Sequence, residues 1–196
     1  SSSNYNDVTE IGFGGYSTVF RATRVADGKP VSIKIISKDR LKRSKISNSL
    51  LADGVPTEYL ILKDLDHPRI PKVCSLEVSE YNFYLVLEYI EGRTLNKISV
   101  PGPKKALFIL RQLVEIEKYL FQKSVAHRDL KLENVLVDEN FNVFLIDFGL
   151  AIRFNEENPL TSVKAGTDIY YSPEMFEPYR FDPRKADVWS LGIIFH

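Results

Sequence analysis

The strongest constraint on the fold is the segment His127-Arg128-Asp129-Leu130-Lys131-Leu132-Glu133-Asn134, followed thirteen residues later by Asp147-Phe148-Gly149. Short apolar runs at Val135–Val137 and Val143–Ile146 lie between these two polar segments. Runs of this length that flank a turn are typical of a tight strand pair. The pattern therefore predicts two polar loops, separated by two short strands that flank a turn at Asp138–Asn140.

The residue types on these two loops indicate a chemistry. Asp129 would orient a hydroxyl group and accept its proton. Asn134 and Asp147 would offer oxygen ligands to Mg²⁺, and Lys131 would place a positive charge beside a phosphoryl group. Because Asp and Asn in loops are often only turn formers, the fixed spacing of all four carries the prediction.

Composition excludes several classes of protein. The 196 residues are 44% hydrophobic and 27% charged, with 26 basic and 26 acidic side chains. The net charge is therefore zero, and the chain has no overall positive charge that would attract nucleic acid. Cys74 is the single cysteine, which excludes an internal disulfide and favours a reducing, cytoplasmic or nuclear location. No apolar run reaches the ~18 residues of a membrane span.

Residues 1–90 have a β-rich pattern with one helix. The helix is predicted at Pro56–Leu65, and Asp27-Gly28 marks a hairpin turn. The predicted strands are Val8–Ile11, Thr18–Thr23, Val31–Ile36, Val73–Val78 and Phe83–Glu88.

Residues 91–196 have a helical pattern. Apolar residues follow helical spacing over Pro103–Gln122, and a second apolar helix is expected over Asp187–Phe195. The sequence predicts an α+β protein with two domains, 1–90 and 91–196, and a ligand cleft between them.

Two further features of the first domain are ambiguous on their own. The glycine-rich segment Gly12–Val19 suits close approach to phosphates, although such turns are common in hairpins. Lys34 lies on a strand with a buried pattern and needs a counter-ion, for which Glu58 is the natural candidate. A solvated edge-strand lysine is the alternative. The basic run Lys38–Lys45 is expected to be a solvated loop.

Together with Gly166-Thr167-Asp168-Ile169-Tyr170-Tyr171-Ser172-Pro173-Glu174, these motifs resemble a eukaryotic protein kinase of the Ser/Thr group. The resemblance runs from about Val8 to the end of the chain. It implies a bilobal fold, with residues 1–90 as the N-lobe and hinge and residues 91–196 as part of the C-lobe. It also implies ATP and Mg²⁺ as cofactors and proteins with Ser or Thr acceptors as partners.

The resemblance assigns roles to individual residues. Lys34, Glu58, Asp129, Lys131 and Thr167 match catalytic positions, and Asn134 and Asp147 match metal ligands. Nucleotide-binding positions match Gly12, Gly14, Gly15, Ser17, Val19, Ser32, Lys34, Leu87, Glu88, Ile90 and Leu136. The stacked side chains that couple the lobes match Leu62, Val73, His127 and Phe148, with Asp187 as their anchor.

Some positions depart from the kinase pattern. Ser17 replaces a glycine, Ser32 replaces an alanine, and Val163 stands where an activating phosphosite is usual, with Thr161 and Ser162 nearby. Kinases usually continue well past the point that matches His196, so the chain resembles part of a longer domain, and its activity in isolation is doubtful.

A finer similarity concerns Ser37-Lys38-Asp39-Arg40-Leu41 and Val55-Pro56-Thr57-Glu58, which are similar to the Pim and PAS-domain kinases of the calmodulin-dependent kinase group. An inactive, kinase-like binding or scaffold module is the alternative function. A small-molecule kinase is disfavoured by Lys131 and the segment Gly166–Glu174. The sequence leaves the oligomeric state open.

Overall fold

The computed structural model describes residues 4–100 and 102–196, and these form two compact units. The first unit ends at Asp64 and resumes from Pro71 to Ile90. The second comprises Leu65–Ile70 and Glu91–His196.

The first unit is built on a five-stranded antiparallel sheet in the order β1-β2-β3-β7-β6. The Asp27-Gly28 turn joins β2 to β3, with Gly28 in the left-handed region at φ 68°. The strands are β1 (Tyr5–Phe13), β2 (Ser17–Arg24), β3 (Pro30–Ser37), β6 (Val73–Val78) and β7 (Asn82–Glu88). All five predicted strands are confirmed, with ends that differ by up to three residues.

Alternation along β3 divides the sheet into two faces. Val31 and Ile33 point to one face and pack with Ala22 and Val86 in a buried apolar cluster. Lys34 and its neighbours at every second position point to the other face. A strand with one apolar face thereby positions a lysine on the opposite face.

The connection from β3 to β6 contains three helices and a small hairpin. They are α1 (Lys38–Arg43), α2 (Ser47–Leu50), β4 (Leu51–Ala52), β5 (Val55–Pro56) and α3 (Thr57–Asp64). The expected solvated loop at Lys38–Lys45 is wrong in part, because Ser37 caps α1 by accepting from the N–H of Arg40 and Leu41 is buried. The helix predicted from Pro56 begins one residue later, since Pro56 belongs to β5.

The second unit contains the two longest helices. Helix α4 (Gly102–Gln122) confirms the predicted amphipathic helix, and its residues Ile109, Leu113, Ile116 and Leu120 are fully buried. Helix α5 (Pro183–Ile194) begins four residues earlier than predicted, because Asp182 caps it and Pro183 suits its first position. None of the helices in the described ranges is long and apolar enough to cross a membrane.

Short strands lie before and between these helices and carry the loops of the site. They are β8 (Arg93–Thr94), β9 (Val125–Ala126), β10 (Val135–Val137), β11 (Val143–Leu145) and β12 (Ile152–Arg153). Strands β10 and β11 form the predicted hairpin, and β12 pairs with β9. Turns of 3-10 helix occur at Leu95–Lys97, Leu132–Asn134, Asp168–Tyr170 and Pro173–Phe176. The predicted α+β class is confirmed.

Candidate active site

A buried carboxylate holds the loop between β9 and β10 in place. Asp187 on α5 is 1% exposed and accepts the backbone N–H groups of His127 at 2.7 Å and Arg128 at 2.8 Å. Arg128 has φ 64°, a conformation that L-residues adopt only under constraint. The two bonds from Asp187 supply that constraint and set the direction in which the next residue points.

Asp129 is at the centre of a hydrogen-bonded cluster. Its Oδ1 accepts from the hydroxyl of Thr167 at 2.9 Å, and its Oδ2 lies 2.8 Å from the ammonium of Lys131. The amide of Asn134 donates to Oδ2 and to the backbone carbonyl of Asp129, and Lys131 also donates to Thr167 at 3.0 Å. Three other predicted site residues therefore meet at the Asp129 carboxylate, although Thr167 is 38 residues away along the chain.

His127 supports this loop as a neutral ring. Burial lowers its pKa, and the ring packs edge-on against Phe148 with centroids 4.8 Å apart. Since Nδ1 accepts the backbone N–H of Asp129, Nε2 carries the proton and donates to the carbonyl of Ile146 at 3.1 Å. The ring thus ties the loop of Asp129 to the end of the strand pair that leads to Asp147.

The two predicted metal ligands are held by backbone contacts. The N–H of Ile146 donates to the carbonyl of Asn134, and Asp147 follows in a left-handed conformation at φ 60°. The Asp147 side chain is exposed and accepts from the N–H of Gly149 at 3.3 Å. Because the Asn134 nitrogen is used by Asp129, its amide oxygen is the atom left for a cation. One carboxylate and one amide oxygen fit Mg²⁺, which prefers hard oxygen ligands and keeps several waters.

In the first unit, Lys34 on β3 and Glu58 on α3 form a buried ion pair. The ammonium lies 2.8 Å from Oε1 and 2.7 Å from Oε2, and the two residues are 8% and 4% exposed. The counter-ion expected for Lys34 is confirmed, and a solvated edge-strand lysine is excluded. Contact with both oxygens fixes the ammonium on the face of the sheet opposite the buried cluster of Ala22, Val31, Ile33 and Val86.

Sheet pairing gathers several predicted nucleotide-binding residues on that same face. Val19 is opposite Lys34, and Ser32 is opposite Leu87. Because cross-strand partners and alternate residues share a face, these four side chains form one surface. Gly12 pairs with Val19 at its edge, Glu88 ends β7 and Ile90 follows it. Leu136 lies on β10 in the second unit.

Contacts among the described residues do not require glycine at positions 12, 14 and 15 of the glycine-rich turn. A Cβ at Gly15 would meet nothing within 4 Å, and one at Gly12 or Gly14 would meet only ordinary contacts at 3.8 Å. None of these three glycines has a positive φ. Ser17 closes the turn by accepting the N–H of Gly14 at 2.8 Å. Close approach of a ligand therefore explains the glycines better than backbone geometry does, and this fits a nucleotide phosphate.

Backbone hydrogen bonds and the side chain of Arg128 hold the segment between Asp147 and Glu174. Thr161 and Phe181 exchange two backbone hydrogen bonds of 2.9 Å. Arg128 donates to the carbonyls of Leu150 at 2.7 Å and Val163 at 3.3 Å. Burial lowers the pKa of this arginine to about 10, so it is charged at neutral pH.

Two residues of this region have contacts that the sequence pattern did not indicate. Gln112, buried on α4, holds the β10–β11 turn by donating to the carbonyl of Phe141 and accepting from the N–H of Val143. Gly166 has φ 111°, and a Cβ there would collide with the carbonyl of Arg128. The available signal for Gln112 was a lone glutamine among the apolar positions of α4. The local sequence gave no signal for Gly166, because the backbone that it approaches is distant in the chain.

Comparison with known proteins agrees with this geometry. A protein kinase domain model matches residues 5–196, and the chain belongs to that family. The KIN1 homolog of Encephalitozoon cuniculi, a probable serine/threonine-protein kinase, is 35% identical over 98% of this chain and 35% of its own length. CBL-interacting protein kinase 11 of Oryza sativa subsp. japonica is 34% identical over 94% of this chain and 37% of its own.

A third relative is CBL-interacting serine/threonine-protein kinase 13 of Arabidopsis thaliana, at 32% identity over 94% of this chain and 37% of its own length. The chain spans little more than a third of the length of these curated relatives. The shared region is the part that carries the Asp129 cluster and the Lys34–Glu58 pair.

Proposed function

We propose that the full-length protein transfers the γ-phosphoryl group of Mg·ATP to Ser or Thr hydroxyls of protein substrates. The observation that carries this proposal is the cluster in which Lys131, Thr167 and Asn134 all contact Asp129. A carboxylate held by three donors is oriented without further rearrangement, as a group that acts on an acceptor hydroxyl needs to be.

Each residue of the cluster has a distinct role in this proposal. Asp129 accepts the proton of the acceptor hydroxyl. Lys131 stabilises negative charge that develops on the transferred group, and Thr167 fixes the carboxylate while facing the acceptor. Asn134 and Asp147 would hold Mg²⁺, which neutralises phosphate charge when bound.

The first unit would bind the nucleotide. Lys34, oriented by Glu58, would contact the phosphates as a positive charge. Gly12, Gly14, Gly15 and Ser17 would present backbone N–H groups to them. Val19 and Leu87 would contact the adenine ring, and the backbone of Glu88 and Ile90 would hydrogen-bond its edge. Ser32 places a hydroxyl on the same surface as Val19 and Leu87. Leu136, on β10 of the second unit, would be a further nucleotide-binding residue.

The test is a transfer assay on the full-length protein with Ser- and Thr-containing peptides. Asp129→Asn should lower kcat by about 10²–10⁴-fold and leave the KM for ATP nearly unchanged, because the carboxylate acts on the hydroxyl in the transition state. Asp147→Asn should abolish Mg²⁺-dependent ATP turnover. Glu139→Gln, which removes an exposed charge from the β10–β11 turn, is the control.

Two outcomes would contradict the proposal. If Asp129→Asn transfers phosphate as fast as the unmodified protein, Asp129 is not the base. If the unmodified protein binds Mg·ATP but transfers nothing to any peptide, the protein is a kinase-like binding module.

We further propose the finer placement near the Pim and PAS-domain kinases of the calmodulin-dependent group. Val55-Pro56-Thr57-Glu58 supports it, since these residues join the β4–β5 hairpin directly to the helix that carries Glu58. Residues 1–90 would be the N-lobe with hinge and 91–196 part of the C-lobe. A cytoplasmic or nuclear location is supported by the single, unpaired Cys74. Fractionation of cells that express a tagged full-length protein tests that location.

A further inference from the structure

One buried acid of the second unit is not used by the proposed mechanism. Glu117 lies on α4 and is 4% exposed, on the same buried side as Leu113, Ile116 and Leu120. Within residues 4–100 and 102–196, neither of its carboxylate oxygens has a hydrogen-bond partner, and both are shielded from solvent. A carboxylate in such a position is costly when ionised, because nothing replaces the water it loses.

The charge that acts on Glu117 belongs to Asp187, the acid that holds the loop between β9 and β10. Asp187 is also buried, and its charge repels that of Glu117. Asp187 differs in having two donors, the N–H groups of His127 and Arg128, one on each oxygen. Of two neighbouring acids, the one with donors keeps the negative charge and the other keeps the proton. The geometry therefore assigns the charge to Asp187 and the proton to Glu117.

We propose that Glu117 is a positioning residue for phosphoryl transfer: in its protonated form it permits Asp187 to hold the catalytic loop, and its ionisation loosens that anchor. This inference rests on the proposed kinase function. The link to the chemistry is short, since Asp187 binds the N–H groups of the two residues immediately before Asp129. A second negative charge beside Asp187 would oppose the ionised state on which both bonds depend.

The other charged groups around this pair have defined states near neutral pH. His127 is neutral because burial lowers its pKa, and Arg128 is charged because its pKa, although burial lowers it to about 10, remains above neutral pH. Asp129 is neutralised locally by Lys131 at 2.8 Å. Burial first, and then the charge of Asp187, raise the pKa of Glu117 well above its usual range, whereas the pKa of Asp187 is raised by burial to about 7.

The sign of the pH dependence follows from these directions. A raised pKa in the folded state means that the native protein retains protons that the unfolded chain has released, so stability decreases as pH rises toward that pKa. Activity should therefore show a loss on the alkaline side that belongs to Glu117. Protonation of Asp187, whose pKa burial raises, should cause a separate loss of activity on the acid side.

The experiment measures kcat and the KM for ATP of the full-length protein as a function of pH, for the unmodified protein and for Glu117→Gln, Glu117→Leu and Glu115→Gln. Gln has the shape of a protonated Glu, and Leu fills the site without a polar atom. Glu115 is an exposed acid on the same helix and serves as the matched control. Two variants are used at position 117, so that one poorly folded protein does not decide the result.

We expect the kcat of the unmodified protein to fall by up to about tenfold per pH unit above the pKa of Glu117. Both variants at position 117 should lack this loss, whereas Glu115→Gln should retain it. The KM for ATP should be the same in all four proteins. Amide hydrogen exchange at His127 and Arg128, corrected for intrinsic rates, should accelerate at alkaline pH only in the unmodified protein and in Glu115→Gln.

An alkaline loss of kcat that is unchanged in both variants at position 117 would overturn the inference. So would variants that change thermal stability but not the exchange of these two amides. An unmodified protein with no phosphoryl transfer at any pH would contradict the proposed function instead, and the exchange measurement would still decide whether Glu117 controls the anchor.

Discussion

The two units bury polar groups in different ways. Of the described residues, the first unit buries two charged side chains, Lys34 and Glu58, and pairs them. The second unit buries nine polar or charged side chains, and the side-chain atoms without a hydrogen-bond partner include atoms of Glu117, Arg128 and Ser172. The difference indicates that the second unit accepts buried polar groups to hold a reactive loop, whereas the first needs a single oriented charge.

The largest expected effect comes from separating the pair of the first unit. Lys34→Met or Glu58→Leu alone should lower the free energy of unfolding by about 3–5 kcal/mol, because each removes the partner that a buried charge contacts at 2.7–2.8 Å. The double variant should recover most of this loss, although it should remain inactive. Denaturant unfolding of the full-length protein measures both effects.

The control for this prediction is the exposed pair Arg43–Asp39, whose side chains are 82% and 77% exposed. Asp39→Asn should change the free energy of unfolding by less than about 1 kcal/mol. A double variant at Lys34 and Glu58 that is no more stable than the single variants would show that the two charges do not depend on each other.

Glycines offer the second way to compare the units. Gly166→Ala should destabilise the protein by at least about 1–3 kcal/mol, since Ala is strained at φ 111° and its Cβ would collide with the carbonyl of Arg128. Gly15→Ala in the first unit should leave stability unchanged, because its Cβ would meet nothing. It should raise the KM for ATP. Thermal unfolding and nucleotide titration separate these effects, and equal loss of stability at both sites would contradict the distinction.

A smaller effect is expected in the segment between Asp147 and Glu174. Thr161→Ala/Ser162→Ala should reduce peptide phosphorylation by less than about tenfold, even after phosphatase treatment, because backbone bonds to Phe181 and the bonds from Arg128 remain. If phosphorylation activated the protein, the phosphate group would have to serve as a charged partner of Arg128. A loss of about one hundredfold, or ~2.7 kcal/mol, would make Thr161 or Ser162 a phosphorylation switch.

The smallest effect concerns two serines of the second unit. Ser172 is 1% exposed with a hydroxyl that has no partner among the described residues, so Ser172→Ala should leave stability unchanged or raise it slightly. The hydroxyl of Ser190 lies 2.9 Å from the carbonyl of Tyr170, and Ser190→Ala should cost about 1 kcal/mol. If Ser172→Ala proves the more damaging in thermal unfolding, Ser172 has a partner in solution.

The spacing of residues along the chain was sufficient to predict much of the second unit. Asp129, Lys131 and Asn134 are within six residues of one another, so the loop that carries them is already visible in the chain. The β10–β11 hairpin and the amphipathic helix α4 were predicted for the same reason, because periodicity and turn residues act over short distances. Helix α1 was missed because a basic run was expected to be solvated, and a single apolar residue, Leu41, is a weak signal of a helix.

The sequence by itself determined the α+β class, the strands, the long helix and the residue types needed for phosphoryl transfer. Tertiary structure alone decided which distant groups meet. It brings Thr167 to Asp129, Gly166 to Arg128, and Asp187 to the N–H groups of the loop between β9 and β10. It also decided that Glu117 is buried without a partner. Periodicity specifies which side of an element is buried, whereas the partner of a buried polar group depends on packing between elements that are far apart in the chain.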